Sequence, residues 1–333
     1  MTVPRPPGTG APKGRAALVT VVALLAAAGV VLATTAGAGS SAGAGSSGAG
    51  SRAGTTTPTT TPIVPGSYVA LGDSYTSGPA IPSQLGPGTT PTAPSACLRS
   101  SENYPSIAAG ALGLQLDDVS CGGATTDDLV QSQGPGIPAQ LDALRRSTAL
   151  VSVGIGGNDL GFSTIATDCV AYTPWGPTRM GWSCEAHYGP AGVDPLAAAA
   201  LEVGGKVARV LDEIRQRAPG ARVFVVGYPD VVPPSGTGCW PSLPYTAADI
   251  AFLRGVESEL NSALAGAAAA AGDLYVDMAT PSASHTACTS DDTRWVEPIV
   301  PSPGAYPLHP DATGMAGMAG VLERAMGPVG LVR

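Results

Sequence analysis

Five short runs of strand length, each followed by small or polar residues and separated by stretches able to form helices, constrain this chain more than any other feature. They are Ser67–Leu71, Leu114–Val119, Ala149–Ile155, Ala221–Tyr228 and Leu274–Met278. Most are rich in apolar residues throughout instead of alternating, as strands covered on both faces are. Between them, Glu102–Leu112 and Thr246–Ala271 read as helices, and Val207, Val210, Leu211 and Ile214 fall at i, i+3, i+4 and i+7 of another, closed by Pro219-Gly220. A last helix follows His309. Strands alternating with helices make a parallel sheet with helices on both faces, so an α/β fold with a five-stranded parallel sheet is expected.

In such sheets ligands bind beyond the carboxyl ends of the strands, where helix N-termini also point. Three strand ends carry polar punctuation: Gly72-Asp73-Ser74, Cys121-Gly122-Gly123 and Gly156-Gly157-Asn158-Asp159. Taken singly, each is ordinary turn chemistry. Together they gather Ser74, Gly123 and Asn158 on one edge. A serine presented there beside backbone N–H groups suits acyl transfer, because the alkoxide and the tetrahedral oxyanion are both negative. Gly123 can bring its N–H close because it has no Cβ, and the Asn158 amide can donate from the neighbouring strand end. The nucleophile needs a base. Of the three histidines, His187 and His285 sit in loop surroundings, whereas His309 is held between Pro307-Leu308 and Pro310-Asp311 at the mouth of the last helix.

The first third of the chain is different in kind. Residues 1–15 hold Arg5, Lys13 and Arg15 and no acid; 16–33 are uncharged and apolar; Ala36-Gly37-Ala38 and Ala42-Gly43-Ala44 supply small residues. That order is a secretory signal peptide, assigned to 1–38, with an uncleaved membrane anchor over 16–33 as the alternative. Residues 39–66, nearly all Gly, Ala, Ser, Thr and Pro, read as a disordered linker unable to build a core. The compact domain is then 67–333. Losing the three basic residues of the signal takes the net charge from −8 to −11, which argues against nucleic acid as a partner. Six cysteines, Cys97, Cys121, Cys169, Cys184, Cys239 and Cys288, lie in this exported domain, an even count that points to three disulfides among 15 possible pairings. Without CxxC spacing, and with three histidines, no metal site is expected.

GDSY at 72–75, GGATT at 122–126, GGND at 156–159 and LHPDATG at 308–314 resemble, in this order, the four sequence blocks of the SGNH hydrolases, also called the GDSL esterase/lipase family. The resemblance covers nearly all of 67–327 and is strongest to secreted actinobacterial lipases and esterases, with their GDSYTSG-like start and WVEP…HP-like tail. It implies a three-layer α/β/α, flavodoxin-like fold. It further implies Ser74 as nucleophile, His309 as base, an oxyanion hole of Ser74, Gly123 and Asn158, and disulfides Cys97–Cys121, Cys169–Cys184 and Cys239–Cys288. One position departs from the pattern. Many members carry an aspartate three residues before the histidine, where this chain has Tyr306. Asp311 follows the histidine and suits a helix cap. Some actinobacterial relatives use a main-chain carbonyl in place of the acid, and the resemblance thus implies one from Tyr306–Pro307 to orient His309, giving a Ser–His dyad; Asp291 or Glu297 folded back onto the imidazole is the alternative.

The function these features imply is a secreted carboxylic-ester hydrolase of lipase or esterase type, acting on an acyl lipid through an acyl-enzyme, as a monomer without cofactor. Its rivals are a polysaccharide or cell-wall O-acetyl esterase and a non-catalytic surface binding module. Phe162, Trp175, Trp182 and Trp240 read either as an acyl-binding surface near the active edge or as packing around the disulfides.

Overall fold

The structure, a computed structural model, describes residues 66–86, 94–172, 184–188, 195–236 and 238–327. The signal assigned to 1–38, all but the last residue of the 39–66 linker, and Trp175 and Trp182 lie outside the described residues.

Strands β1 (Ser67–Gly72), β2 (Gln115–Asp118), β3 (Leu150–Gly154), β4 (Arg222–Val226) and β5 (Leu274–Val276) pair in parallel in the order β2-β1-β3-β4-β5. The central strands β1 and β3 are almost wholly buried, whereas edge strand β2 is exposed or half-buried, which is why its sequence alone is mixed. Four of the expected runs prove too long at their carboxyl ends, those of β4 and β5 by two residues each. The last pair of these two strands is Val226↔Val276, the Gly227 N–H closes the ladder on the Val276 carbonyl at 3.0 Å, and Tyr228 turns into the loops above the sheet.

The helices are α1 (Ser74–Ser77), α2 (Tyr104–Leu112), α3 (Thr126–Val130), α4 (Gly157–Leu160), α5 (Phe162–Tyr172), α6 (Cys184–Tyr188), α7 (Pro195–Arg217), α8 (Ala247–Ala271), α9 (Ala279–Ser282) and α10 (Ala312–Met326). α2 begins later than its periodicity suggests because Asn103 caps it, accepting the Ser106 N–H at 3.1 Å. A capping box of Thr246 and Asp249 starts α8. α7 packs on α8, and α2 packs on α10, where Met315 Sδ accepts the Tyr104 N–H at 3.4 Å. The chain steps to one side from β1 to β2 and to the other from β3 through β5. Right-handed crossovers therefore place the two helix pairs on opposite faces, giving three layers. The order also sets a switch point between β1 and β3, the crevice where such sheets bind ligands.

The cysteines are joined as Cys97–Cys121, Cys169–Cys184 and Cys239–Cys288, at sequence separations of 24, 15 and 49. Cross-linking restricts the unfolded chain most where the closed loop is longest. The double variant Cys239→Ser/Cys288→Ser is expected to lose about 4 kcal/mol of stability, read from the denaturant midpoint under non-reducing conditions.

Candidate active site

β1 ends at a glycine for a steric reason. A Cβ on Gly72 would lie 2.2 Å from Thr76 Oγ1 and 2.7 Å from the Gly154 carbonyl, so the chain turns there only without a side chain. Asp73 N–H donates to that same carbonyl at 3.1 Å, and the Asp73 carboxylate caps α1 by accepting the Tyr75 N–H at 2.9 Å. Ser74 is thus the first residue of a capped turn, half-buried, beyond the carboxyl end of a central strand.

His309, from far along the chain, meets it. Its Nε2 lies 2.8 Å from Ser74 Oγ, and its Nδ1 lies 2.9 Å from the Pro307 carbonyl. A carbonyl oxygen only accepts, so Nδ1 carries the proton and Nε2 presents a lone pair to the serine hydroxyl. Burial lowers the imidazole pKa below its ordinary value, the Pro307 carbonyl opposing in part. The ring is therefore neutral at neutral pH and able to accept a proton.

The segment carrying His309 is held on several sides. Leu308 sits at φ 61°, a left-handed conformation that a bulky residue keeps only when its surroundings impose it. Tyr75 O–H donates to the Leu308 carbonyl at 2.5 Å, Leu308 N–H to the Glu297 carbonyl at 3.0 Å, and Glu297 N–H to the His309 carbonyl at 2.9 Å. Nearby carboxylates are engaged elsewhere. Glu297 takes Arg294 Nη2 at 2.9 Å on both oxygens, Asp291 pairs with the same guanidinium, and Asp311 caps α10 through the Gly314 N–H at 2.8 Å. Tyr306, exposed, turns its ring edge toward the imidazole at a centroid distance of 6.2 Å. Neither alternative acid, Asp291 nor Glu297, is a partner of the imidazole.

The other two strand ends are tied to this one. Cys121 N–H donates to the Gly72 carbonyl at 2.9 Å, drawing the glycine loop to the end of β1. Gly123 follows at φ 76°, which glycine adopts without strain. Asp159, half-buried with its side chain turned inward, accepts both the N–H and the hydroxyl of Thr126, at 2.8 and 2.7 Å, and pairs with Lys206 at 3.3 Å, clamping the start of α3 to α4. Beside it, Asn158 Nδ2 donates to the Ala124 carbonyl at 2.9 Å, leaving its second amide hydrogen for a ligand. Among the described residues nothing accepts from the N–H of Ser74 or of Gly123.

Two contributors escaped the sequence reading. Tyr228, which leaves the sheet just after β4, donates its O–H to Asp73 Oδ2 at 2.5 Å and accepts the Gly157 N–H at 2.8 Å, so it links the serine turn to the asparagine turn. Burial pushes the Asp73 carboxyl up to about 7, with the Tyr228 hydrogen bond opposing. The signal available beforehand was slight: a tyrosine at a strand's carboxyl end, level with the serine. The second is Glu257, only 5% exposed, on the buried face of α8 between Leu253 and Leu260. An acid at helical spacing among Leu253, Val256 and Leu260 was visible in the sequence. Both residues line a pocket beside Ser74, with Tyr75, Asn158 and Phe162. Phe162 is thus a buried pocket residue at the start of α5; Trp240, 64% exposed, is not among the pocket's lining residues. His187 is exposed on α6, and His285 stacks on Trp295 with its Nδ1 2.6 Å from the Thr293 carbonyl.

A family model described as GDSL-like Lipase/Acylhydrolase matches residues 70–316. Lipase 2 of Streptomyces coelicolor is 38% identical over 79% of this chain and 86% of its own length. The crystal structure of phospholipase A1 from Streptomyces albidoflavus NA297 superposes with a TM-score of 0.62 at 30% identity, covering 78% of this chain and 99% of that one. That of the extracellular lipase from Streptomyces rimosus gives 0.60 at 29% identity, over 78% and 98%.

Proposed function

Because this chain belongs to the GDSL-like Lipase/Acylhydrolase family and is thereby a carboxylic-ester hydrolase, we propose that it cleaves esters of acyl lipids through a Ser74–His309 dyad. The observation that carries the dyad is the single line of contacts from Ser74 Oγ through the imidazole to the Pro307 carbonyl. As Ser74 Oγ attacks the ester carbon, Nε2 takes its proton. The resulting imidazolium keeps its Nδ1–H on Pro307 and returns the Nε2 proton to the departing alkoxide, leaving an acyl-enzyme. Water then repeats the sequence in reverse roles. The N–H groups of Ser74 and Gly123 and the Asn158 amide supply the oxyanion donors. The relatives, two lipases and a phospholipase A1, support acyl lipids as the substrate class. No helix of the described residues is long and apolar enough to cross a membrane. Export rests on the signal-like order of residues 1–38, with 39–66 as linker and 67–333 as the hydrolase domain, which acts as a monomer without cofactor.

A fluorophosphonate tests the nucleophile directly. It is expected to add once, at Ser74, and more slowly in His309→Ala; an adduct mapped to any other residue overturns the assignment. A chain-length panel of 4-nitrophenyl esters set beside an acetylated glycan separates lipase from deacetylase. Asn158→Ala is expected to lower kcat by roughly 10²-fold with KM little changed. A change confined to KM would make Asn158 a substrate-binding group only.

A further inference from the structure

The polar side chains on the pocket beside Ser74 include Asp73, Asn158, Ser163, Tyr228 and Glu257, and of these only Glu257 holds a buried side-chain atom without a hydrogen-bond partner. Glu257 reaches it from the buried face of α8, among Val231, Leu260 and Tyr75. Its Oε1 accepts the Val231 N–H at 3.2 Å, while its Oε2 is buried without a hydrogen-bond partner. The cation on the next turn does not answer it: Arg254 Nη1 bonds Asp230 Oδ2 at 3.2 Å and the Val232 carbonyl at 3.5 Å. Burial pushes the Glu257 acid well above the ordinary carboxylate range, Asp230 adding to this, the Val231 N–H and Arg254 opposing. The other titratable groups facing it, Tyr75 and Tyr245, are themselves held neutral by burial. Burial therefore favours the protonated form of Glu257. With Oε1 occupied as an acceptor, the proton belongs on Oε2, which makes that oxygen an unmet donor.

His309 is absent from the lining of this pocket, and His309 delivers the proton to the leaving group. The alcohol half of the ester accordingly lies on the His309 side, and the acyl half enters the pocket. Resting on the Ser74–His309 reading, we propose that Glu257 is a specificity-determining residue that selects acyl chains bearing an oxygen function, a hydroxyl or oxo group, over plain hydrocarbon chains. A buried donor left unpaired by a plain chain disfavours that chain, whereas a chain oxygen placed against it restores the bond. Discrimination by a site built to hydrogen-bond is stronger than discrimination by one more methylene.

The test uses 4-nitrophenyl octanoate beside its isomers with a hydroxyl walked along the chain. Wild type is expected to prefer at least one isomer by about 10-fold or more in kcat/KM. Glu257→Leu should lose that preference and gain on plain octanoate. Glu257→Gln, isosteric and still a donor, should retain most of it, and melting temperatures of both variants establish that they fold. If wild type hydrolyses all isomers through Ser74 with no preference, or if Glu257→Leu keeps the wild-type ratios, Glu257 is not the selector and the hydrolase reading stands. If wild type hydrolyses none of the series and fluorophosphonate fails to mark Ser74, both readings fall together.

Discussion

Ser74→Ala is expected to lower ester turnover on the order of 10⁶-fold, the loss found when a comparable serine is removed from a serine hydrolase. Stability should hardly change. The side chain is half-buried and bonds His309, while the turn it opens is capped by Asp73 and closed by the Gly78 N–H on the Ser74 carbonyl. Those backbone contacts survive the substitution. Because the oxyanion donors remain, hydrolysis above the rate in water should persist at a level of about 10³–10⁴-fold. The check is kcat of the purified variant beside its melting temperature. Turnover equal to wild type would end the nucleophile assignment; a large fall in melting temperature would make the loss uninterpretable as chemistry.

His309→Ala is expected to cost as much as Ser74→Ala, and no carboxylate substitution should match it. Nδ1 points at the Pro307 carbonyl, while Asp291, Glu297 and Asp311 serve Arg294 or the cap of α10. Asp311→Ala should therefore cost about 0.5–2 kcal/mol of stability and leave kcat within a fewfold. An acid that fixed the imidazole tautomer would instead be worth about 10⁴-fold in kcat. The gap is wide enough for one kinetic comparison: a collapse of kcat in Asp311→Ala or Glu297→Gln, at unchanged melting temperature, would restore a triad. The pH profile gives a second reading of the same histidine. The base works only when neutral, and burial lowers its pKa. The acidic limb of kcat/KM should then fall below the ordinary histidine range, with activity lost as pH drops through the lowered value. Among the described residues no acid bonds the imidazole to pull that limb upward.

Much of this was legible in the chain. Helix α8 declared itself by length, periodicity and the Thr246–Asp249 box, and α10 by Asp311, because caps and apolar stripes are local properties of a few adjacent residues. The polar punctuation after β1, β2 and β3 was equally local, and strand direction in a parallel sheet is enough to collect Ser74, Gly123 and Asn158 on one edge. The strand ends were less accurate. Apolar runs extend past the last ladder pair, and the residues beyond it, Tyr228 above all, leave the sheet to build the site.

What no local pattern contained was the set of contacts between distant segments. The bond from Tyr228 to Asp73 spans 155 residues, and that from Tyr75 to the Leu308 carbonyl spans 233. Each depends on where β4 and the His309 segment come to rest relative to α1. The partner of His309 is a further case: a missing aspartate is a matter of sequence, but a carbonyl two residues away orients a ring only if the backbone is bent to aim it. Leu308 at φ 61°, held by Tyr75 and Glu297, supplies that bend. Glu257 makes the division plainest. Its helical spacing with Leu253, Val256 and Leu260 was written in the chain, yet whether a core acid finds a cation, a water-facing edge or a pocket is decided by packing. Here Arg254 turns to Asp230, and the acid is left facing the space beside the serine. Periodicity and capping are short-range and so survive in one dimension, whereas the environment of a side chain is the sum of its neighbours in three.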